Sequence, residues 1–228
     1  MDKNRPNNGL NFLEKVILLA LDDKGWFGNS EHKIKFGLAG AILFELFKHG
    51  RIELKENVVV VRDTSPLHDP FLDRVLEFLL SVKKQRSIRT WIQRIVYKKL
   101  MIRKTIIRSL IAKNILRKEE YNLLWVMYQF KYPLVNSGIK HQVQEELYRK
   151  ILNDEKLNGY DLMLFTVMDA CNIVRKNFRT FEHQVKVRRK IREIVHSEDP
   201  ALEDSKLIGA INSSIRRAIA ASNVSIHA

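Results

Sequence analysis

The sequence predicts a mainly α fold in one globular domain, interrupted only by short β-hairpins. Three observations predict it. Apolar residues recur at helical spacing through most of the 228 residues, with charged residues on the intervening positions. Only two stretches, around residues 51–62 and 121–132, carry the β-branched or aromatic runs of hairpin strands. Nothing in the composition marks a linker between separate domains, and a 45% hydrophobic content is enough to bury a sizeable core at this length.

The elements follow in order. Residues 1–9 are polar, with Pro6, Asn7, Asn8 and Gly9, and read as a flexible arm before a domain covering residues 10–228. Leu10 to Leu21 is an amphipathic helix that Asp22-Asp-Lys-Gly25 stops, and Trp26 to Glu31 is a loop. A helix runs from Lys35 to His49; Gly37, Ala39, Gly40 and Ala41 let a neighbour pack closely, and Gly50 caps its end. Arg51 to Leu54 and Val58 to Arg62 flank Lys55-Glu-Asn57 as a hairpin, and a helix covers Phe71 to Val82. Ile88, Trp91, Ile92, Ile95 and Val96, then Ile102, Ile106, Ile107 and Leu110, form the buried stripes of two further helical stretches. Tyr121 to Tyr132 is the most aromatic stretch and reads as a second hairpin. Its apolar residues Leu123, Leu124, Trp125, Met127 and Tyr128 suit shallow membrane insertion or self-association. Helices over 137–154, 159–177, 182–196 and 205–222 complete the chain.

Charge is the strongest functional signal. The formal net charge is +14 and the isoelectric point about 9.9, which points to an anionic partner. From Lys83 to Lys118 the sequence has thirteen Lys or Arg and no Asp or Glu. A second cluster comprises Arg175, Lys176, Arg179, Lys186, Arg188, Arg189, Lys190 and Arg192, broken only by Glu182.

Catalytic signatures are missing. No glycine-rich phosphate loop, nucleophile elbow or His-Glu-x-x-His stands in the sequence. The seven histidines are scattered singly, which argues against a metal site, and no cofactor is expected. The one cysteine, Cys171, lies in the apolar run Leu162 to Val174 and reads as a buried core thiol. No stretch reaches the roughly 18 apolar residues of a membrane span, and the N-terminus shows no signal-peptide core, so the expected location is cytoplasmic with peripheral membrane association. The protein is read as a non-enzyme. Three functions fit: a peripheral protein on anionic lipid, a winged-helix-like nucleic-acid binder suggested by two helix-then-hairpin units, and a protein-interaction adaptor.

Leu13-Glu-Lys-Val-Ile-Leu-Leu-Ala-Leu21 and Phe36-Gly-Leu-Ala-Gly-Ala-Ile-Leu-Phe-Glu-Leu-Phe-Lys-His-Gly-Arg-Ile-Glu-Leu54 resemble the opening of the Golgi phosphoprotein 3 (GPP34) family. Arg103 to Leu116, the second hairpin to Leu134, Ile139-Lys-His-Gln-Val-Gln144 and Leu162 to Phe178 resemble its successive later segments. The resemblance implies a helical domain around a buried central helix and a basic face that recognises phosphatidylinositol 4-phosphate. It also implies cytosolic protein tails as partners. The family's pocket uses a loop tryptophan, an arginine in Gly-Leu-Arg-Gly, and two arginines spaced by three. Here those positions are Ser30, Ala39 in Gly37-Leu38-Ala39-Gly40, Leu100 and Arg103. Trp26 stands four residues before Ser30, and Lys33, Lys35, Lys99 and Lys104 are the cations that could restore charge around Arg103. The expected headgroup site is therefore Trp26, Lys33, Lys35, Lys99, Arg103 and Lys104.

Overall fold

The structure, a computed structural model, describes residues 9–98, 100–123, 127–178, 180–196 and 204–224, with the side chains of 122, 123, 127, 128, 194–196 and 224 not described. The expected arm falls almost wholly outside these residues.

Helix α1, Phe12–Ala20, starts two residues after the expected Leu10 because Asn11 and Glu14 form a reciprocal cap: Glu14 N–H donates to Asn11 Oδ1 at 2.9 Å and Asn11 N–H donates to Glu14 Oε2 at 2.8 Å. The same Glu14 carboxylate is fully buried. Such a charge needs partners, and it receives Ser109 Oγ and Lys113 Nζ, each at 2.7 Å.

Helix α2, Glu31–Lys48, is the buried central helix: every residue from Phe36 to Leu46 is buried. It starts four residues earlier than the pattern suggested, because a 3-10 turn over Gly28–Ser30 feeds directly into it. Its end matches expectation. Gly50 takes φ +68, and Gly50 N–H and Arg51 N–H donate back to the Phe47 and Leu46 carbonyls. Strands β1, Ile52–Lys55, and β2, Val58–Val61, pair antiparallel with Ile52 opposite Val61, and both turn residues, Glu56 and Asn57, have positive φ. Helix α3, Pro70–Leu80, is capped by Asp69, whose carboxylate accepts Phe71 N–H and Leu72 N–H. A two-residue strand β3, Arg86–Ser87, joins β2 with Arg86 opposite Val59; two residues are too few to show any period, so the sequence did not announce it.

Helices α4, Ile88–Tyr97, and α5, Ile102–Ala112, carry the basic run, their buried residues being the predicted stripes apart from half-buried Val96. The second hairpin is β4, Glu119–Leu123, and β5, Met127–Lys131, with Leu123 opposite Met127; Leu124 and Trp125 lie outside the described residues. Helix α6, Ser137–Leu152, follows, then α7, Gly159–Ala170, and α8, Val174–Asn177. The single helix expected over 159–177 is thus two. Asn172 at φ +62 closes α7, with Asn172 N–H and Ile173 N–H donating to the Asp169 and Met168 carbonyls. Asparagine tolerates this left-handed conformation. Helices α9, Phe181–His196, and α10, Ser205–Val224, end the described chain.

Helix α2 is wrapped by α1, α4, α5, α7 and α10. The close approach of α7 depends on Gly37, where a Cβ would stand 2.4 Å from Cys171 Sγ. Cys171 is fully buried and its thiol is pushed up to about 12, chiefly by burial. It is the core thiol the sequence suggested.

Candidate functional site

The loop between α1 and α2 is fastened from behind by two lysines. Lys140 from α6, only 2% exposed, donates to the Leu21 carbonyl at 2.8 Å and to Asp23 Oδ1 at 3.1 Å. Lys176 from α8 donates to the carbonyls of Phe27 at 2.6 Å and Ala20 at 3.1 Å, and to Ser30 Oγ at 3.3 Å. Burial holds the Lys176 ammonium below the usual lysine range; Asp22 opposes this shift and Lys140 adds to it. Within the loop, Asp22 Oδ1 accepts both Lys24 N–H and Trp26 N–H at 2.9 Å. Gly25, at φ +84, receives Tyr132 N–H on its carbonyl, and a Cβ there would meet Pro133 N at 2.3 Å. These two lysines carry charge, yet they serve to hold backbone.

Trp26 leaves this loop toward the second hairpin. It stands edge-on to Tyr121 at 5.8 Å and lines an open groove of about 480 Å³ with Lys24, Arg117, Glu119, Gln129, Lys131 and Pro133. The other expected headgroup residues gather elsewhere. Lys33 and Lys35 sit in the first turns of α2, and Arg103 in the first turn of α5 donates to Glu31 Oε1 at 2.6 Å and covers the Phe27 ring at 5.0 Å. Lys104 is exposed one residue further on; Lys99 lies outside the described residues. Of the family-equivalent positions, Ser30 is buried with its hydroxyl donating to the Phe27 carbonyl at 2.6 Å, and Ala39 is fully buried inside α2. Leu100 packs against the core. The described residues therefore group Lys33, Lys35 and Arg103 near one end of α2 and send Trp26 to a different groove. Sequence reading missed Glu31 as the partner of Arg103 because 72 positions separate them.

The basic run itself stays largely uncompensated. Among the described residues, Arg103, Lys113 and Arg117 have carboxylate partners, in Glu31, Glu14 and Glu119. Lys83, Lys84, Arg86, Arg89, Arg94, Lys98, Lys104, Arg108 and Lys118 form no ion pair among them. Two of these cations share an aromatic platform with no signature in the local residue pattern. Phe78 of α3 meets Trp91 of α4 edge-on at 5.7 Å, with Arg94 and Lys98 over the Phe78 ring at 6.0 and 5.3 Å. Arg94 also covers Trp91 at 5.8 Å. Cation–π contact fixes these heads while leaving their charge unneutralised.

Comparison with known proteins bears on this arrangement. The family described as Golgi phosphoprotein 3 (GPP34) matches residues 13–211. The chain belongs to the Golgi phosphoprotein 3 family. Within curated relatives it is similar to Vacuolar protein sorting-associated protein 74 of Schizosaccharomyces pombe, at 26% identity over 60% of this chain and 47% of the relative. It is similar also to the protein of the same name from Eremothecium gossypii, at 24% identity over 60% of this chain and 48% of that protein. The chain spans about half the length of the curated relatives it matches. Among the described residues no helix is long and apolar enough to cross a membrane, and no group of three or more His, Cys, Asp and Glu could hold a metal ion.

Proposed function

We propose that this chain attaches peripherally to anionic phospholipid membranes through the outward side of α4 and α5, by charge rather than through a dedicated headgroup pocket. The observation that carries this reading is the set of cations on these two helices with no carboxylate partner among the described residues: Arg89 and Arg94 on α4, Lys98 at its end, and Lys104 and Arg108 on α5. Each lysine or arginine near an anionic surface contributes about 1 kcal/mol, so four engaged together enrich the protein there roughly a thousandfold at low salt. Membership of the Golgi phosphoprotein 3 family supports a membrane role. Selectivity for phosphatidylinositol 4-phosphate needs several forked donors focused on one phosphate. Arg103 is held by Glu31, and Ser30, Ala39 and Leu100 supply no cation, so headgroup selectivity is expected to be weak. No catalytic role is assigned.

Co-sedimentation with neutral vesicles, phosphatidylserine vesicles and phosphatidylinositol 4-phosphate vesicles of matched charge tests the reading. Equal binding to the two anionic compositions that falls with salt is the expected result. A strong preference for the phosphoinositide would replace charge-driven attachment with headgroup recognition, and binding to none would overturn the membrane reading.

A further inference from the structure

We infer that the corner between α4 and α5 is the membrane anchor of this face, with Tyr97 and Met101 inserting at the lipid interface while Lys98, Arg94 and Lys104 take the surrounding lipid phosphates. The inference rests on the membrane reading above and adds the site of insertion. Tyr97 closes α4 with 62% of its surface exposed, and Met101 precedes α5 with 60% exposed. Two large apolar or aromatic side chains four residues apart therefore project into water at one corner. Their exposure costs hydrophobic free energy that insertion would recover.

Met101 carries a second signal. Its backbone has φ +51 and ψ +29, the left-handed region. Glycine or asparagine adopts that conformation with less strain, and a bulky side chain there is uncommon. Gly50, Asn114 and Asn172 place glycine or asparagine in this conformation at helix C-termini, whereas Met101 stands at the N-cap of α5; Glu56, His68 and Asp154 also take positive φ. At position 101 the sequence instead keeps methionine, whose side chain gains little burial within the chain. A contact outside the chain gives that methionine a role.

The charge around the corner fits a bilayer with anionic phosphates. Lys98 caps α4, its amide donating to the Arg94 carbonyl at 2.8 Å, while its ammonium and the Arg94 guanidinium lie over Phe78. Lys104 is exposed one turn into α5, and the nearby Glu31 carboxylate is already paired with Arg103. Phe181 at the start of α9 is more exposed still, at 77%. Of the α9 cations, however, four are bound to carboxylates, Lys186 and Lys190 to Asp154, Arg188 to Asp169 and Arg189 to Glu193, while Arg192 donates to the Arg188 carbonyl. Apolar exposure and free positive charge coincide at the α4–α5 corner.

The test uses the full chain and vesicles of phosphatidylcholine alone or with phosphatidylserine at fixed ionic strength. Tyr97→Ser with Met101→Asn is expected to weaken binding to the anionic vesicles roughly tenfold, the loss of two interfacial side chains. The unfolding temperature should stay the same or rise, since asparagine relieves the left-handed position; a purely structural role for Met101 predicts the opposite. Binding of the double variant within twofold of the parent overturns the anchor and leaves charge-driven attachment standing. Failure of the parent chain to bind anionic vesicles overturns both. As a second readout, Met101→Cys supplies an accessible thiol beside the buried Cys171 and can carry a polarity-sensitive fluorophore. A blue shift on phosphatidylserine vesicles that a lipid-borne quencher suppresses supports insertion, whereas an unchanged spectrum while the protein sediments with the vesicles overturns it.

Discussion

The two basic regions are alike as sequence and opposite as surface. The run from Lys83 to Lys118 leaves nine cations without a carboxylate among the described residues, two of them resting on Phe78. In the cluster from Arg175 to Arg192, Lys186 and Lys190 converge on Asp154, Arg188 reaches Asp169, Arg189 pairs with Glu193 one turn on, and Lys176 is turned inward to hold Phe27. By density of lysines and arginines, thirteen in residues 83–118 and eight in residues 175–192, the second would rank no lower than the first. What separates them is the position of carboxylates brought in by α7 and by the turn after α6.

That contrast can be broken by experiment. Reversing Arg94, Lys98 and Lys104 together to glutamate should weaken binding to anionic vesicles more than about a hundredfold, at roughly 1 kcal/mol for each cation removed and more for each reversed. The same reversal at Arg188, Arg189 and Arg192 should change binding less than threefold while lowering the unfolding temperature, because Asp169 loses a partner. Equal loss of binding from both triples would end the distinction.

Lys176→Met sharpens it from the inside. Removing this cation takes one of the two 2.6 Å donors from the Phe27 carbonyl, Ser30 Oγ being the other, and the 3.1 Å ammonium from the Ala20 carbonyl, and denaturant unfolding should show a loss of about 1–3 kcal/mol. Lys84→Met, at an exposed residue without an ion pair, should change stability by less than about 0.5 kcal/mol. Gly25→Ala attacks the same loop through its backbone: the positive φ and the 2.3 Å approach to Pro133 N predict about 1–3 kcal/mol of destabilisation. Quenching of Trp26 by acrylamide should rise as the loop leaves Tyr121.

The smallest expected effect concerns His32. Its imidazole contacts Ser222 Oγ at 2.7 Å, and burial followed by Lys35 and Lys33 lowers its pKa. The folded state then binds fewer protons than the unfolded state. Its contribution to stability is full above about pH 6.5 and is lost as pH falls through the lowered folded value. Between pH 7.5 and 5.5 the parent should lose slightly more in unfolding temperature than His32→Gln. Parallel pH profiles would remove His32 from the account.

Much of the fold was legible because helix faces declare themselves by period: the stripes through Ile88 to Ile95 and Ile102 to Leu110 became the buried sides of α4 and α5. Gly50 was readable as a helix end. Asn172, which ends α7 by the same back-bonding, was not, since asparagine sits at helix ends and in helices alike without a distinctive neighbour. The start of α2 was misplaced because charged residues at Glu31 to Lys33 hide a helix whose first turn faces solvent.

The candidate site was legible in residue type and not in arrangement. The sequence by itself determined a helical chain with a concentrated positive charge, a central glycine-bearing helix and a buried thiol, because each depends on neighbours within one or two turns. Tertiary structure alone decided which cations remain free. Glu31 meets Arg103 across 72 positions, Glu14 meets Lys113 across 99, and Lys140 and Lys176 fold back on a loop more than 100 residues earlier. Ion pairing and desolvation act through space and are set by packing, so no local pattern of charge fixes their outcome.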